Sequence, residues 1–161
     1  MYQVEIIHYQ QPLPVLMRPH QGPYSGIAAA FADLRTLLQQ HAAGPQTVRA
    51  FGQYLDDPAT VEPQGLRAAA CLTPPPALSL TAAEVEELGF VYGELAAGRY
   101  ASIVHAGPYQ GLAAAWNWLL QEWLPGSGEQ FGQRPVLDEA LNAPHDTPPA
   151  LLRTRLLLPL A

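Results

Sequence analysis

The sequence predicts an α+β fold made by tandem duplication of a strand-helix-strand-strand module, and three observations carry that prediction. The first is an internal repeat. His20-Gln21-Gly22-Pro23-Tyr24-Ser25-Gly26-Ile27-Ala28-Ala29-Ala30-Phe31 returns as His105-Ala106-Gly107-Pro108-Tyr109-Gln110-Gly111-Leu112-Ala113-Ala114-Ala115-Trp116, displaced by 85 and identical at eight of twelve positions. The second is its continuation at a displacement of 86. Tyr54-Leu55-Asp56-Asp57-Pro58 aligns with Ala140-Leu141-Asn142-Ala143-Pro144, and Leu66-Arg67 with Leu152-Arg153. A period this long marks a duplicated module rather than a solenoid. The third is the switch of hydrophobic period, from two before each Gly-Pro-Tyr to a helical stripe after it. Together they predict antiparallel sheets carrying two amphipathic helices on one side.

Each element has its own signal. Val4 to Tyr9 alternates as a strand, and Leu13 to His20 is a second, whose Pro14 and Pro19 suggest an edge or strand ends. Gly22 suits a tight turn and Pro23 the first helical position. Ile27, Ala30, Phe31, Leu34, Leu37 and Leu38 then form one helical face, which ends near His41, before Gly44-Pro45. Thr47 to Leu55 and Leu66 to Thr73 are the next strands. The second half repeats this order. A strand broken by Gly89 and Gly93 covers Glu87 to Ala96, and Arg99 to His105 is the next. A helix follows with Leu112, Ala115, Trp116, Leu119, Leu120 and Trp123 on one stripe, then strands at Val136 to Leu141 and Leu152 to Pro159. The chain therefore reads as a single domain over 1–161, with repeat one at 1–76, repeat two at 84–161 and a crossover at 77–83.

Composition narrows the function classes. The net charge of -6 comes with eight Arg, no Lys and no basic run, which argues against direct nucleic-acid binding. No apolar stretch approaches a membrane span and no secretory leader opens the chain, so a cytoplasmic protein that neither crosses nor binds membrane is expected. Cys71, the single cysteine, lies in an apolar run and reads as buried structure. The five histidines lack the spacing of a zinc site, and Gly126 to Gly132 follows a helix rather than a strand, so neither metal nor cofactor is expected. His20 and His105 each end a strand before a glycine turn, and a hydrogen bond fixing that turn is the role their position suggests.

The informative places are those where the two copies stop matching. Gly52 in one aligns with Asp138 in the other. Asp138 and Glu139 are neighbours on a strand and point to opposite faces, so only one faces inward. If that is Asp138, it joins Tyr54, Trp116, Trp118, Tyr24 and Tyr109 as a carboxylate among aromatic rings, suited to a small hydrophobic or cationic aromatic ligand. No nucleophile and base are assembled, and no catalytic residue is assigned.

The duplicated His-x-Gly-Pro-Tyr helix start, Tyr54-Leu55-Asp56-Asp57-Pro58, Ala97-Gly98-Arg99-Tyr100, Glu122-Trp123-Leu124-Pro125 and Leu141-Asn142-Ala143-Pro144 resemble the GyrI-like small-molecule-binding domain. That domain is also the effector-binding part of bacterial multidrug-sensing transcription regulators. The resemblance covers essentially the whole chain. It implies two repeats with a ligand cleft between them, where a glutamate in a Glu-x-Tyr segment contacts cationic aromatic ligands. By position the acid falls on Asp138 and the tyrosine on Ala140, both departures from that pattern. The resulting expectation is a stand-alone effector-binding protein, monomeric or dimeric. The resemblance also allows an inhibitor that docks on DNA gyrase, or a hydrolase of electrophilic natural products.

Overall fold

The structure is a computed structural model that describes residues 2–45 and 47–161. In chain order it contains β1 (Glu5–Tyr9), β2 (Leu13–Gln21), α1 (Ile27–His41), β3 (Ala50–Tyr54), β4 (Arg67–Leu72), α2 (Ala82–Glu87), β5 (Val91–Leu95) and β6 (Gly98–Ala106). Next come α3 (Leu112–Asn117), a π-helical stretch over Trp118–Trp123, α4 (Leu124–Gly126), β7 (Val136–Ala140) and β8 (Arg153–Pro159). The result is an α+β fold of antiparallel strands with two main helical segments. No helix among the described residues is long and apolar enough to cross a membrane.

The chain divides into two compact units whose ranges differ from the sequence repeats. The first unit is Pro12–Ala96; the second combines the residues up to Gln11 with Ala97–Ala161. In the first, β4 pairs with β3 and β2, and β2 pairs with β5. In the second, β8 pairs with β7 and β6, and β6 pairs with β1. β1 therefore holds in the second unit the place that β5 holds in the first, although β1 is joined in sequence to β2 and β5 to β6. Both edges of β2 are taken by β4 and β5, so β1 pairs with β6 instead.

The prolines of β2 have a local explanation. Pairing with β5 covers Leu13–Met17 and pairing with β4 covers Leu16–Gln21. Pro14 and Pro19 thus lie where β2 has a neighbour on one side only, so a missing N–H need not break a ladder bond. The edge character expected from them is local, within a strand that is internal overall.

One helix was not foreseen. α2 falls where the sequence suggested the end of a crossover and the start of a strand. Thr81 accepts from the Glu84 N–H at 3.2 Å while the Glu84 carboxylate accepts from the Thr81 N–H at 3.0 Å, a reciprocal cap. Leu80 before the cap and Val85 in the first turn both pack on the first core, which fixes the approach of the chain. The strand is left with Val91–Leu95.

Each unit packs its helix on one sheet face. Leu34, Leu37, Leu38 and Ala30 of α1 meet Leu16, Ala70 and Leu72 in the first unit, joined by Val85 and Phe90. In the second, Ala115 and Leu119 meet Ala101, Ile103, Leu156 and Leu158. Burying one such leucine contributes about 1.5 to 3 kcal/mol. Cys71 is fully buried, the structural role its surroundings suggested.

Candidate functional site

The Gly-Pro-Tyr turn builds the same frame twice. Gly22 and Gly107 take φ of 122° and 124°, a region that favours glycine, and their N–H groups donate to the Leu66 and Leu152 carbonyls at 2.8 Å. His20 Nε2 donates to the Pro23 carbonyl at 2.9 Å, and His105 Nε2 to the Pro108 carbonyl at 3.1 Å. This is the turn-fixing bond that the matched histidines suggested. His105 is held at its other nitrogen too, with the Tyr2 hydroxyl 2.9 Å from Nδ1.

Beyond this shared frame the two tyrosines diverge. The Tyr24 hydroxyl lies 2.8 Å from the Asp56 carbonyl and 3.1 Å from that of Arg67, and accepts from the Asp56 N–H at 3.1 Å. Its ring meets Tyr54 edge-on, with centroids 4.9 Å apart. Burial holds its phenol above the ordinary tyrosine range. Tyr24 and Tyr54 are thus brought together as a packed pair. Tyr109 has Ala140 in the place of Tyr54. Its phenol is also pushed up, first by burial and then by the negative charge of Asp138, which places that carboxylate near the ring. At neutral pH Tyr109 remains an O–H donor.

Sheet register decides which way the acids face. Asp138 pairs with Leu156 and Ala140 with Thr154, and with Val136 they occupy the face that carries the helix. Leu137 and Glu139 occupy the opposite face, with Leu157 and Arg155 as partners. Glu139 is the more deeply buried acid, 6% exposed, while Asp138 is half-buried. Neither sits in a solvated strand end. Trp116 and Trp118 both pack half-buried against the second core, Trp118 with its ring 5.4 Å from that of Tyr2.

A residue absent from the sequence-based candidates is Thr154. It is 3% exposed, and its Oγ1 has no hydrogen-bond partner among the described residues. It lies in the row His105, Thr154, Ala140, beside the row Ile103, Leu156, Asp138. The displacement of 86 sets it against Ala68, so the same repeat comparison that singles out Asp138 carries its signal. An acid, an unpaired hydroxyl, a phenol and a small alanine thus share one end of the helix-bearing face.

The sequence profile of the "GyrI-like small molecule binding domain" matches residues 3–161. A relative described as probable transcriptional regulator YgiV, from Escherichia coli strain K12, is 28% identical over 159 residues, covering 98% of this chain and 96% of its own length. Among solved structures, the EcmrR C-terminal domain superposes with TM-score 0.78 at 16% identity, covering 100% of this chain and 98% of that one. SAV2435 bound to tetraphenylphosphonium superposes with TM-score 0.57 at 12% identity, covering 100% and 94%. At these identities the structures speak to the fold. With the profile match running over nearly every residue, the chain belongs to the GyrI-like small-molecule-binding domain family.

Proposed function

We propose that this domain binds hydrophobic, cationic aromatic compounds on the helix-bearing face of β7 and β8, with Asp138 as counter-charge and Tyr109 as an aromatic wall. The observation that carries this reading is the asymmetry of the two repeats. The first has Gly52 where the second presents a half-buried carboxylate beside a phenol. A carboxylate withdrawn from water among apolar groups attracts a cation more strongly than an exposed one. The family to which the chain belongs, and the tetraphenylphosphonium in the SAV2435 structure, support the same chemistry.

The test uses tetraphenylphosphonium on the full chain. A ligand that binds only the native state raises the melting temperature by mass action. Asp138→Asn keeps the shape and removes the charge, so affinity should fall by about 1 to 3 kcal/mol. Binding unchanged in that variant, or no shift of melting at millimolar ligand, would reject the proposal. Turnover of an electrophilic substrate that Asp138→Asn abolishes would replace it with a hydrolase.

A further inference from the structure

The two repeats present one backbone frame with two different fillings. In the first unit a cross-strand row runs His20, Ala68, Tyr54, and the Tyr54 ring stands edge-on to Tyr24 at 4.9 Å. In the second the row is His105, Thr154, Ala140, with Tyr109 in the place of Tyr24. The frames agree closely. Besides the glycine turns and histidine bonds, the Arg67 N–H donates to Asp56 Oδ2 at 2.8 Å and the Arg153 N–H to Asn142 Oδ1 at 3.0 Å. Ala140 therefore carries its Cβ where Tyr54 carries one, and beside Tyr109 the phenol ring is deleted.

Two further differences adjoin that deletion. Ala68 is replaced by Thr154, which puts a buried hydroxyl without a partner among the described residues at the floor of the row. Gly52 is replaced by Asp138, diagonal to Thr154 across the strand pair, a spacing of roughly 7 to 8 Å that one small group can bridge. A buried unpaired hydroxyl is unfavourable unless something occupies it. Tyr109 stays 40% exposed, so the phenol beside this row reaches water. The Asp138 carboxylate only accepts hydrogen bonds, and the Thr154 hydroxyl can accept as well as donate, so a donor with positive charge satisfies both.

We propose that the second repeat takes, in the place of the Tyr54 ring, a single aromatic ring bearing an ammonium or amidinium group, with the ring against Tyr109 and the cation donating to Asp138 and Thr154. This rests on the ligand-binding reading of the same face and narrows it from bulky cations to one-ring amines.

The experiment is calorimetric titration of the full chain with benzylamine and with the uncharged p-cresol, alongside tetraphenylphosphonium. Benzylamine should bind about tenfold or more tightly than p-cresol, as a charge-assisted hydrogen bond implies. Its ring protons should give NMR cross-peaks to the Tyr109 ring. Ala140→Tyr restores the side chain that the first repeat carries. It should raise the melting temperature and weaken benzylamine by about tenfold or more. Ala140→Leu, a smaller filler, should weaken benzylamine in the same direction if the tyrosine variant does not fold. Benzylamine that fails to bind at about 10 mM, or binds either variant as it binds the parent, overturns the proposal. If Asp138→Asn still weakens tetraphenylphosphonium in that case, the broader binding function stands and only the one-ring assignment falls. If neither ligand responds to Asp138→Asn, both fall together.

Discussion

Gly111 lacks a side chain because His105 lies over the start of α3. A Cβ there would sit 2.7 Å from His105 Cε1 and 2.8 Å from Nε2, whereas at Gly26 it would sit 3.1 Å from His20 Cε1. His105 is buried and held at both ring nitrogens, so it cannot give way; His20 is bonded at one and half-exposed. Gly111→Ala should therefore cost about 1 to 3 kcal/mol in chemical denaturation, the usual range for overpacking, and Gly26→Ala distinctly less. Equal costs would mean that the two frames hold their histidines alike. Asp56 supports a second prediction. The Arg67 side chain and N–H donate to its carboxylate and hold it below the usual carboxylate range. A depressed folded value adds stability above the unfolded value and loses it as pH falls through the folded one. Asp56→Asn, which copies Asn142, should keep the backbone bond and flatten the decline of melting temperature between about pH 5 and pH 3. The histidine bonds were legible in the sequence, since two matched histidines before two matched glycine turns have few other roles. The Ala68-to-Thr154 difference was legible in the same comparison of repeats, but its interest was not, because that depends on the hydroxyl being buried with no partner among the described residues, and pairing is set by neighbours from three strands.

Elements were legible where period and punctuation agreed. α1 ends at His41 as Gly44-Pro45 suggested, and β2, β4, β6 and β8 fall within a residue or two of their alternating runs. α2 was missed because the spacing of Gly89 and Gly93 drew attention to a broken strand, although Thr81-Ala82-Ala83-Glu84 is a readable capping signal just upstream. That cap predicts its own test. Thr81→Ala removes the hydroxyl that accepts the Glu84 N–H and should destabilise by about 0.5 to 2 kcal/mol, with hydrogen exchange rising first in Ala82–Glu87. No loss of protection there would show that packing of Val85 alone holds the helix. The second helix read as one regular stripe, yet it widens over Trp118–Trp123, where the Leu124 N–H reaches back to the Leu119 carbonyl. That i to i−5 bond changes the backbone and leaves the stripe intact, so side-chain pattern could not show it. Trp116, which lies on the stripe, and Trp118, which does not, were ligand candidates as possible neighbours of Asp138, and both pack half-buried on the second core.

At the scale of the whole molecule, duplication was legible and strand partnership was not. Two copies of a module suggest two contiguous halves, and alternation says that a strand is half-buried without naming its neighbour. The pairing of β1 with β6, from Glu5↔Ser102 to Tyr9↔Gly98, is fixed by which edges are already filled. Deleting residues 1–9 should therefore raise amide exchange in Gly98–Ala106, about ninety residues away, and spare β2, its neighbour in sequence. Increased exchange in β2 instead would contradict the pairing. The deletion also takes Tyr2 from His105, so the second Gly-Pro-Tyr turn should loosen with it. The same exchange of edges has a consequence for a chain still being made. β1 leaves the ribosome before β6, which follows some ninety residues later, an interval on the order of 5 to 20 s at ordinary translation rates. During that time Pro12–Ala96 can assemble its own four strands, while β1 waits as an unpaired edge bearing Ile6 and Ile7. Slowing synthesis past β5 would lengthen that exposure, and a nascent-chain holdase would find its target in β1.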